Sequence, residues 1–253
     1  MPPATFNPDR ITTLWLDLDD TLIDFRSNAR ASLHQMYADE PLLRSHFPDP
    51  QTWAETYERH NHELWDLYSK AEITRPYLRI ERFRRPLTDG GIPEEEAVEA
   101  AKRYDTLYLD LLAQQRRMIP GAMQMLTDLN AIPSLKIGIL SNGFKEVQYR
   151  KMDITGITPM VHLTVLSDDI GINKPDPRLF AHAMDRAGDT DPSHHLLVGD
   201  NPLTDIAGAL RAGWNAVWYR HPDTPSTQPC PDGAVEINSL DQLIPLLGKG
   251  VIK

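Results

Sequence analysis

The sequence predicts an α/β protein: a parallel sheet with helices on both faces, interrupted near its start by a helical insertion. Three observations lead there. From Ile119 to Tyr219 short apolar runs alternate with helical stretches, the pattern of βαβ units. An apolar run, Ile11–Leu16, stands alone at the beginning and reads as a buried strand. Roughly a hundred residues of helix-patterned sequence separate it from the next βα unit, several times what a crossover between neighbouring parallel strands needs.

The elements follow in order. After the first strand, Leu33, Met36 and Tyr37 make a short helical stripe. Trp53, Tyr57, Leu64 and Tyr68 recur at spacings that share one helix face, and Tyr77, Ile80 and Phe83 mark a third helical segment. Asp89–Pro93 is a break. Pro93 followed by Glu94, Glu95 and Glu96 opens a further helix, because Pro suits the first turn and acids suit its positive dipole end. Val98, Ala101, Tyr104, Tyr108 and Leu111 continue it. Beyond Ile119, a helix runs through Leu129, and strands are expected at Leu135–Leu140, Val161–Leu166, His195–Val198 and Ala216–Tyr219. Helices are expected at Asp176–Ala187 and Leu203–Ala212, each stopped by a glycine. The proline-rich His221–Gly233 reads as a loop, Ala234–Ile237 as an edge strand and Leu240–Leu247 as a closing helix. Residues 1–22 with 118–253 are therefore expected to form the α/β core, and 23–117 a helical domain inserted over the end of the first strand.

Bulk properties narrow the partners. The 253 residues carry a formal charge of −10, which argues against a general nucleic-acid binder but leaves room for a local cationic pocket holding a small anion. Cys230 is the one cysteine, so there is no internal disulfide, which fits a reducing compartment. Met1–Arg10 holds three prolines and lacks the apolar stretch of a signal peptide, and no apolar run approaches a membrane span. A cytoplasmic protein without membrane partners is the expectation.

The chemistry gathers at strand ends. The first strand runs into Asp17, Asp19 and Asp20, and carboxylates there are costly to bury unless something cationic meets them. Ser141-Asn142-Gly143 follows the strand Leu135–Leu140. Lys174-Pro175-Asp176-Pro177 precedes a helix. Gly199-Asp200-Asn201 follows the strand His195–Val198, with Asp205 in the next helix's first turn. In an open parallel sheet these positions share the edge where ligands bind. Several carboxylates with only oxygen ligands select a hard ion such as Mg²⁺. A hydroxyl, backbone N–H groups and a lysine supply what a phosphate dianion requires. Asp17 can then be an attacking carboxylate, and Asp19 a proton donor and acceptor.

Asp17-Leu18-Asp19-Asp20-Thr21, Ser141, Lys174 and Gly199-Asp200 with Asp205 resemble, in order, the four motifs of the haloacid dehalogenase (HAD) superfamily of phosphatases. The likeness spans essentially the whole chain and implies a Rossmann-like parallel-sheet core with an inserted helical cap of the C1 type. It implies Asp17 as nucleophile and Mg²⁺ ligand, and Asp19 as general acid/base and a second ligand through its carbonyl. Thr21 would orient Asp19. Ser141 and the Asn142 N–H would hold the transferring phosphoryl group, and Lys174 would neutralise charge. Asp200 would be a metal ligand supported by Asp205. Members that cleave carbon–halogen bonds lack the acid at the position of Asp19, so dehalogenation is not implied.

Leu64-Trp65-Asp66-Leu67-Tyr68, Ile73-Thr74, Arg82-Phe83 and Ser141-Asn142-Gly143-Phe144 look like the 5′-nucleotidase branch, which hydrolyses nucleoside 5′-monophosphates, often pyrimidine and deoxy forms. A sialic-acid 9-phosphate phosphatase group has a similar cap, so a sugar phosphate is the alternative. A non-catalytic interaction module on the same fold is the reading from a different class. Phe144, beside the phosphate motif, is the candidate for stacking on a base, with core packing as the equal alternative. Trp65, Tyr68, Tyr77 and Phe83 have the spacing of a packed helix, and the arginines at 75, 79, 82, 84 and 85 read as a solvated face paired with acids.

Overall fold

A computed structural model of the chain describes residues 7–222 and 228–248. The outermost N-terminal residues and the middle of the proline-rich His221–Gly233 segment lie outside them. The chain divides into two compact units, one made of the residues up to Phe25 together with those from Arg116 onward, the other of Arg26–Gln115.

Among the described residues the first unit is built on six strands, β1 (Thr13–Leu16), β2 (Lys136–Ser141), β3 (Leu163–Leu166), β4 (His195–Gly199), β5 (Asn215–Tyr219) and β6 (Val235–Ile237). All neighbours are parallel, in the order β3-β2-β1-β4-β5-β6. Every residue of β1 is buried, because helices cover both faces of a central parallel strand. Leu14 and Leu16 enter one apolar cluster with Ile137, Ile139, Leu196 and Val198, while Trp15 enters the other with Leu140, Phe180 and Trp214. The sheet order reverses beside β1, and the ends of β1, β2 and β4 flank that point, where ligands bind in open α/β sheets.

The second unit consists of α1 (Phe25–Asp39), which begins one residue before it, α2 (Pro41–His46), α3 (Pro50–Ser69), α4 (Arg75–Asp89) and α5 (Glu94–Leu112). Its core is aromatic: Tyr57 lies 4.8 Å from Phe83 and 5.3 Å from Tyr108, and Trp53 packs edge-on to Phe47. The arginine cluster of α4 is paired, as its composition implied, but not all of it is solvated. Arg82 is buried against Asp105 and over the rings of Phe83 and Tyr108, while Arg84 and Arg85 share Glu81. Of the residues that mark this helix in the sequence, Phe83 is buried with Leu78 and Leu87, while Tyr77 is exposed.

The remaining helices return to the first unit: α6 (Ala122–Asn130), α7 (Lys145–Thr155), α8 (Ser167–Ile170), α9 (Pro177–Ala187), α10 (Ala207–Arg211) and α11 (Leu243–Leu246). The sequence pattern does not predict α7 and α8. The helix expected at Leu203–Ala212 begins instead with a π-helical turn, Pro202–Ile206, entered through Asn201, whose side chain accepts from the N–H groups of Leu203 and Thr204. None of the described helices is long and apolar enough to cross a membrane.

Candidate active site

Asp17 continues the β1 ladder by one step, its N–H donating to the Val198 carbonyl at 2.9 Å, and this sets it beside the end of β4. The chain then turns sharply. Asp20 adopts φ of +59°, a left-handed conformation that Asp tolerates better than most side chains, and its N–H donates to Ile23. Ile23 in turn bridges Met118 in antiparallel fashion, so the outgoing and returning chain are stitched together just past the acidic motif.

Lys174 is the buried hub. Its Nζ lies 2.5 Å from Asp17 Oδ1, 2.7 Å from Asp205 Oδ1 and donates to the Leu140 carbonyl at 2.8 Å. The Asn142 side chain clamps the backbone of the same residue, accepting from the Lys174 N–H at 2.7 Å and donating to its carbonyl at 3.0 Å. Asp205 Oδ2 accepts from the Asn201 N–H at 3.0 Å. A Cβ at position 199 would sit 2.4 Å from that carboxylate, so only glycine there admits Asp205 to the site. Trp218 Nε1 donates to the Asp200 carbonyl at 2.8 Å and fixes the loop that follows β4.

Asp17, Asp200 and Asp205 each offer an oxygen within 4.8 Å of the others. Burial raises the Asp17 carboxyl to about 7; Lys174 opposes this, and the charges of Asp205 and Asp19 add to it. For Lys174 burial works against the ammonium, yet Asp17 and Asp205 outweigh it and hold the group cationic. Two carboxylates share one ammonium and Asp200 offers a third, half-buried carboxylate beside them, which leaves surplus negative charge at the site. An oxygen-only donor set with that surplus fits a hard divalent cation.

Asp19 stands apart from this cluster. Lys151 Nζ contacts its Oδ1 at 2.8 Å and its Oδ2 at 3.0 Å, and Gln148 Nε2 donates to Oδ2 at 2.9 Å. The same Gln148 nitrogen donates to Ser141 Oγ at 2.8 Å. Thr21 is fully buried and its Oγ1 has no hydrogen-bond partner among the described residues, so the groups holding Asp19 are those on α7 instead. Phe144 immediately precedes α7 and is buried, 4 % exposed, which leaves its ring packed rather than open to a ligand.

The expected residues thus gather within one unit, Asp17, Asp19, Ser141, Asn142 and Asp200 at or just past the ends of neighbouring strands, Lys174 in the loop before α9 and Asp205 in the turn Pro202–Ile206. Gln148 and Lys151 were not foreseen. Their one legible trace is their spacing of three, which puts two polar residues on the same helix face as Val147 and Met152.

Comparison with known proteins agrees with this architecture. A family model described as haloacid dehalogenase-like hydrolase matches residues 11–213, and the chain belongs to that family. It is 30% identical over 207 residues to the pyrimidine 5′-nucleotidase YjjG of Escherichia coli K12, an alignment covering 81% of this chain and 84% of that one. It is 31% identical to a phosphoserine phosphatase of Thermus thermophilus, with 85% and 92% covered. Among solved structures, the HAD-hydrolase YfnB of Bacillus subtilis, bound to magnesium, superimposes with a TM-score of 0.81 at 25% identity, covering 94% of this chain and 99% of that one. The chain is a hydrolase of the phosphatase-bearing HAD family.

Proposed function

We propose that this protein is a cytoplasmic, Mg²⁺-dependent phosphomonoesterase that works through an aspartyl phosphate on Asp17, with nucleoside 5′-monophosphates, pyrimidine and deoxy forms first, as its substrates. The observation that carries this reading is the division of labour among the acids. Asp17 is buried on Lys174 beside Asp200 and Asp205, whereas Asp19 is held separately on α7.

The metal would be held by Asp17, Asp200 and the Asp19 carbonyl, with Asp205 in support, and when bound it supplies positive charge to the acids and to the phosphate oxygens. The chain's own groups do the rest. Lys174 grips Asp17 Oδ1 and orients the carboxylate for in-line attack. Attack forms the Asp17 O–P bond and breaks the bond to the leaving oxygen, to which Asp19 gives its proton. Asp19 then takes a proton from water, which attacks the same phosphorus and releases inorganic phosphate and free Asp17. Ser141 Oγ already accepts from Gln148 and Gly143, so its own proton is left to bind a phosphoryl oxygen alongside the Asn142 N–H.

The helical unit Arg26–Gln115 is assigned the role of cap and substrate selector. The nucleotide preference rests on the likeness to YjjG, not on the motif residues Arg82 and Phe83, which are buried in that unit's core. The similarly related phosphoserine phosphatase supports a second reading, a phosphatase for another small metabolite. A panel of phosphomonoesters decides. Thymidine and uridine 5′-monophosphates are expected to exceed O-phosphoserine and hexose phosphates in kcat/KM by at least about tenfold, ~1.4 kcal/mol of transition-state discrimination. Equal rates would favour the second reading. EDTA is expected to abolish turnover and Mg²⁺ to restore it.

A further inference from the structure

We propose that Gln148 and Lys151, on the inward face of α7, are positioning residues for the proton-transfer carboxylate Asp19, and that Gln148 couples it to the phosphoryl-binding Ser141. The inference rests on the phosphatase reading above and deepens it.

Both side chains are buried, with Gln148 1% and Lys151 4% exposed. An amide and an ammonium buried on a helix are costly unless they are fully engaged. An apolar residue of similar volume would pack such a face as well or better, so the pair is poor evidence of a stabilising device. What the two groups do accomplish is geometric. Lys151 Nζ reaches both oxygens of Asp19 and is backed on another side by the Phe25 ring, whose centroid lies 4.6 Å away. Held between a ring and a carboxylate, the ammonium fixes the rotamer of Asp19.

Gln148 is held through its amide nitrogen, its Oε1 being buried without a hydrogen-bond partner among the described residues. Its Nε2 meets two acceptors, Asp19 Oδ2 and Ser141 Oγ, and a flipped amide would set Oε1 against the carboxylate. A Cβ at position 143 would lie 2.2 Å from Gln148 Cδ, so Gly143 is what lets the amide lie flat against the loop after β2. One NH₂ group therefore joins the residue that serves the leaving oxygen to the residue that serves the phosphoryl oxygens. Substrate bound at Ser141 would present its ester oxygen at a set distance from Asp19.

The consequence is a leaving-group signature. An alkyl ester needs Asp19 to protonate its departing oxygen, whereas the p-nitrophenolate ion departs with little help. In Lys151→Met, kcat/KM, which reads the reaction only through departure of the leaving group, is expected to fall about a hundredfold on an alkyl phosphate and less than about threefold on p-nitrophenyl phosphate. The kcat values fall on both esters, because Asp19 also serves the shared hydrolysis of the aspartyl phosphate. Lys151→Arg should recover part of the loss on the alkyl ester. Gln148→Met, which removes no charge and carries the comparison if Lys151→Met does not fold, should show the same split together with a raised KM, because Ser141 loses a partner. Losses in kcat/KM equal on both esters, or no loss on either, would overturn the positioning role while leaving the phosphatase reading intact. A wild-type protein that turns over neither ester would overturn both.

Discussion

Helices α7 and α9 are each 11 residues long and bury residues at similar spacing, yet they were not equally visible in the sequence. The buried face of α9 is Leu179, Phe180, Ala183 and Ala187; that of α7 is Val147, Gln148, Lys151 and Met152. The first packs on hydrocarbon and shows helical hydrophobic periodicity. The second faces the acidic site, where polar side chains replace the apolar ones and erase the period. Asp176, Pro177 and Gly188 also bracket α9 with start and stop signals, while α7 has only its stop, Gly156. A helix that loses its stripe on one side is thus a marker of what that side touches.

Substitution on the two faces should separate stability from chemistry. Phe180→Ala removes a ring packed edge-on to Trp214 and is expected to cost about 3–5 kcal/mol in urea unfolding, with kcat per folded molecule unchanged. Gln148→Met should do the reverse, changing stability by less than about 1 kcal/mol while lowering kcat on alkyl phosphates. The comparison breaks if both helices lose stability alike and neither loses rate.

The two lysines sharpen it further. Lys174→Met leaves Asp17 and Asp205 buried without their cation, and about 3 kcal/mol of stability should be lost in the metal-free protein, partly regained by adding Asp205→Asn. Lys151→Met should cost less than about 1 kcal/mol, since the Asp19 side chain keeps 27% of its exposure and water can take over. Equal costs in equilibrium unfolding would mean that both lysines serve structure alone.

His195 gives the smallest effect. Its Nδ1 accepts from the Trp15 indole at 3.1 Å and its Nε2 donates to the Asp189 carbonyl at 2.8 Å, while burial lowers its pKa below the usual 6.5. The unfolded chain then binds the proton first on acidification. Stability tied to this ring is therefore complete above about pH 6.5 and declines as pH falls from there toward the lowered folded value. Nitrogen NMR should show the neutral Nε2–H ring at neutral pH and its titration at a lower pH than an unperturbed histidine's; a midpoint above the usual 6.5 would contradict the assignment.

The fold was legible because β1, β2, β4 and β5 are continuous apolar runs whose helices carry stripes and glycine stops. The same was true of the acids, the serine and the lysine, which sit in short motifs at strand ends. What could not be read were contacts between distant segments. Asp19 and Lys151 are 132 residues apart, and nothing local announces their pairing. The motif gives Asn142 a role through its N–H, whereas its side chain clamps Lys174 across 32 residues. Thr21, placed by motif as the partner of Asp19, is buried without making that bond. The π-helical entry at Pro202–Ile206 was hidden because its Pro and Asn start signals are those of an ordinary helix.

The central claim is that Asp17 is the group that receives the phosphoryl. Acid quenching during the first turnover of a nucleoside monophosphate, followed by peptide mass spectrometry, tests it most directly. One added phosphoryl is expected on the peptide carrying Asp17, absent from Asp17→Asn, which also loses turnover by at least about a thousandfold, ~4 kcal/mol, without losing its fold. A phosphorylated peptide elsewhere in the chain, or undiminished turnover by Asp17→Asn, would contradict it.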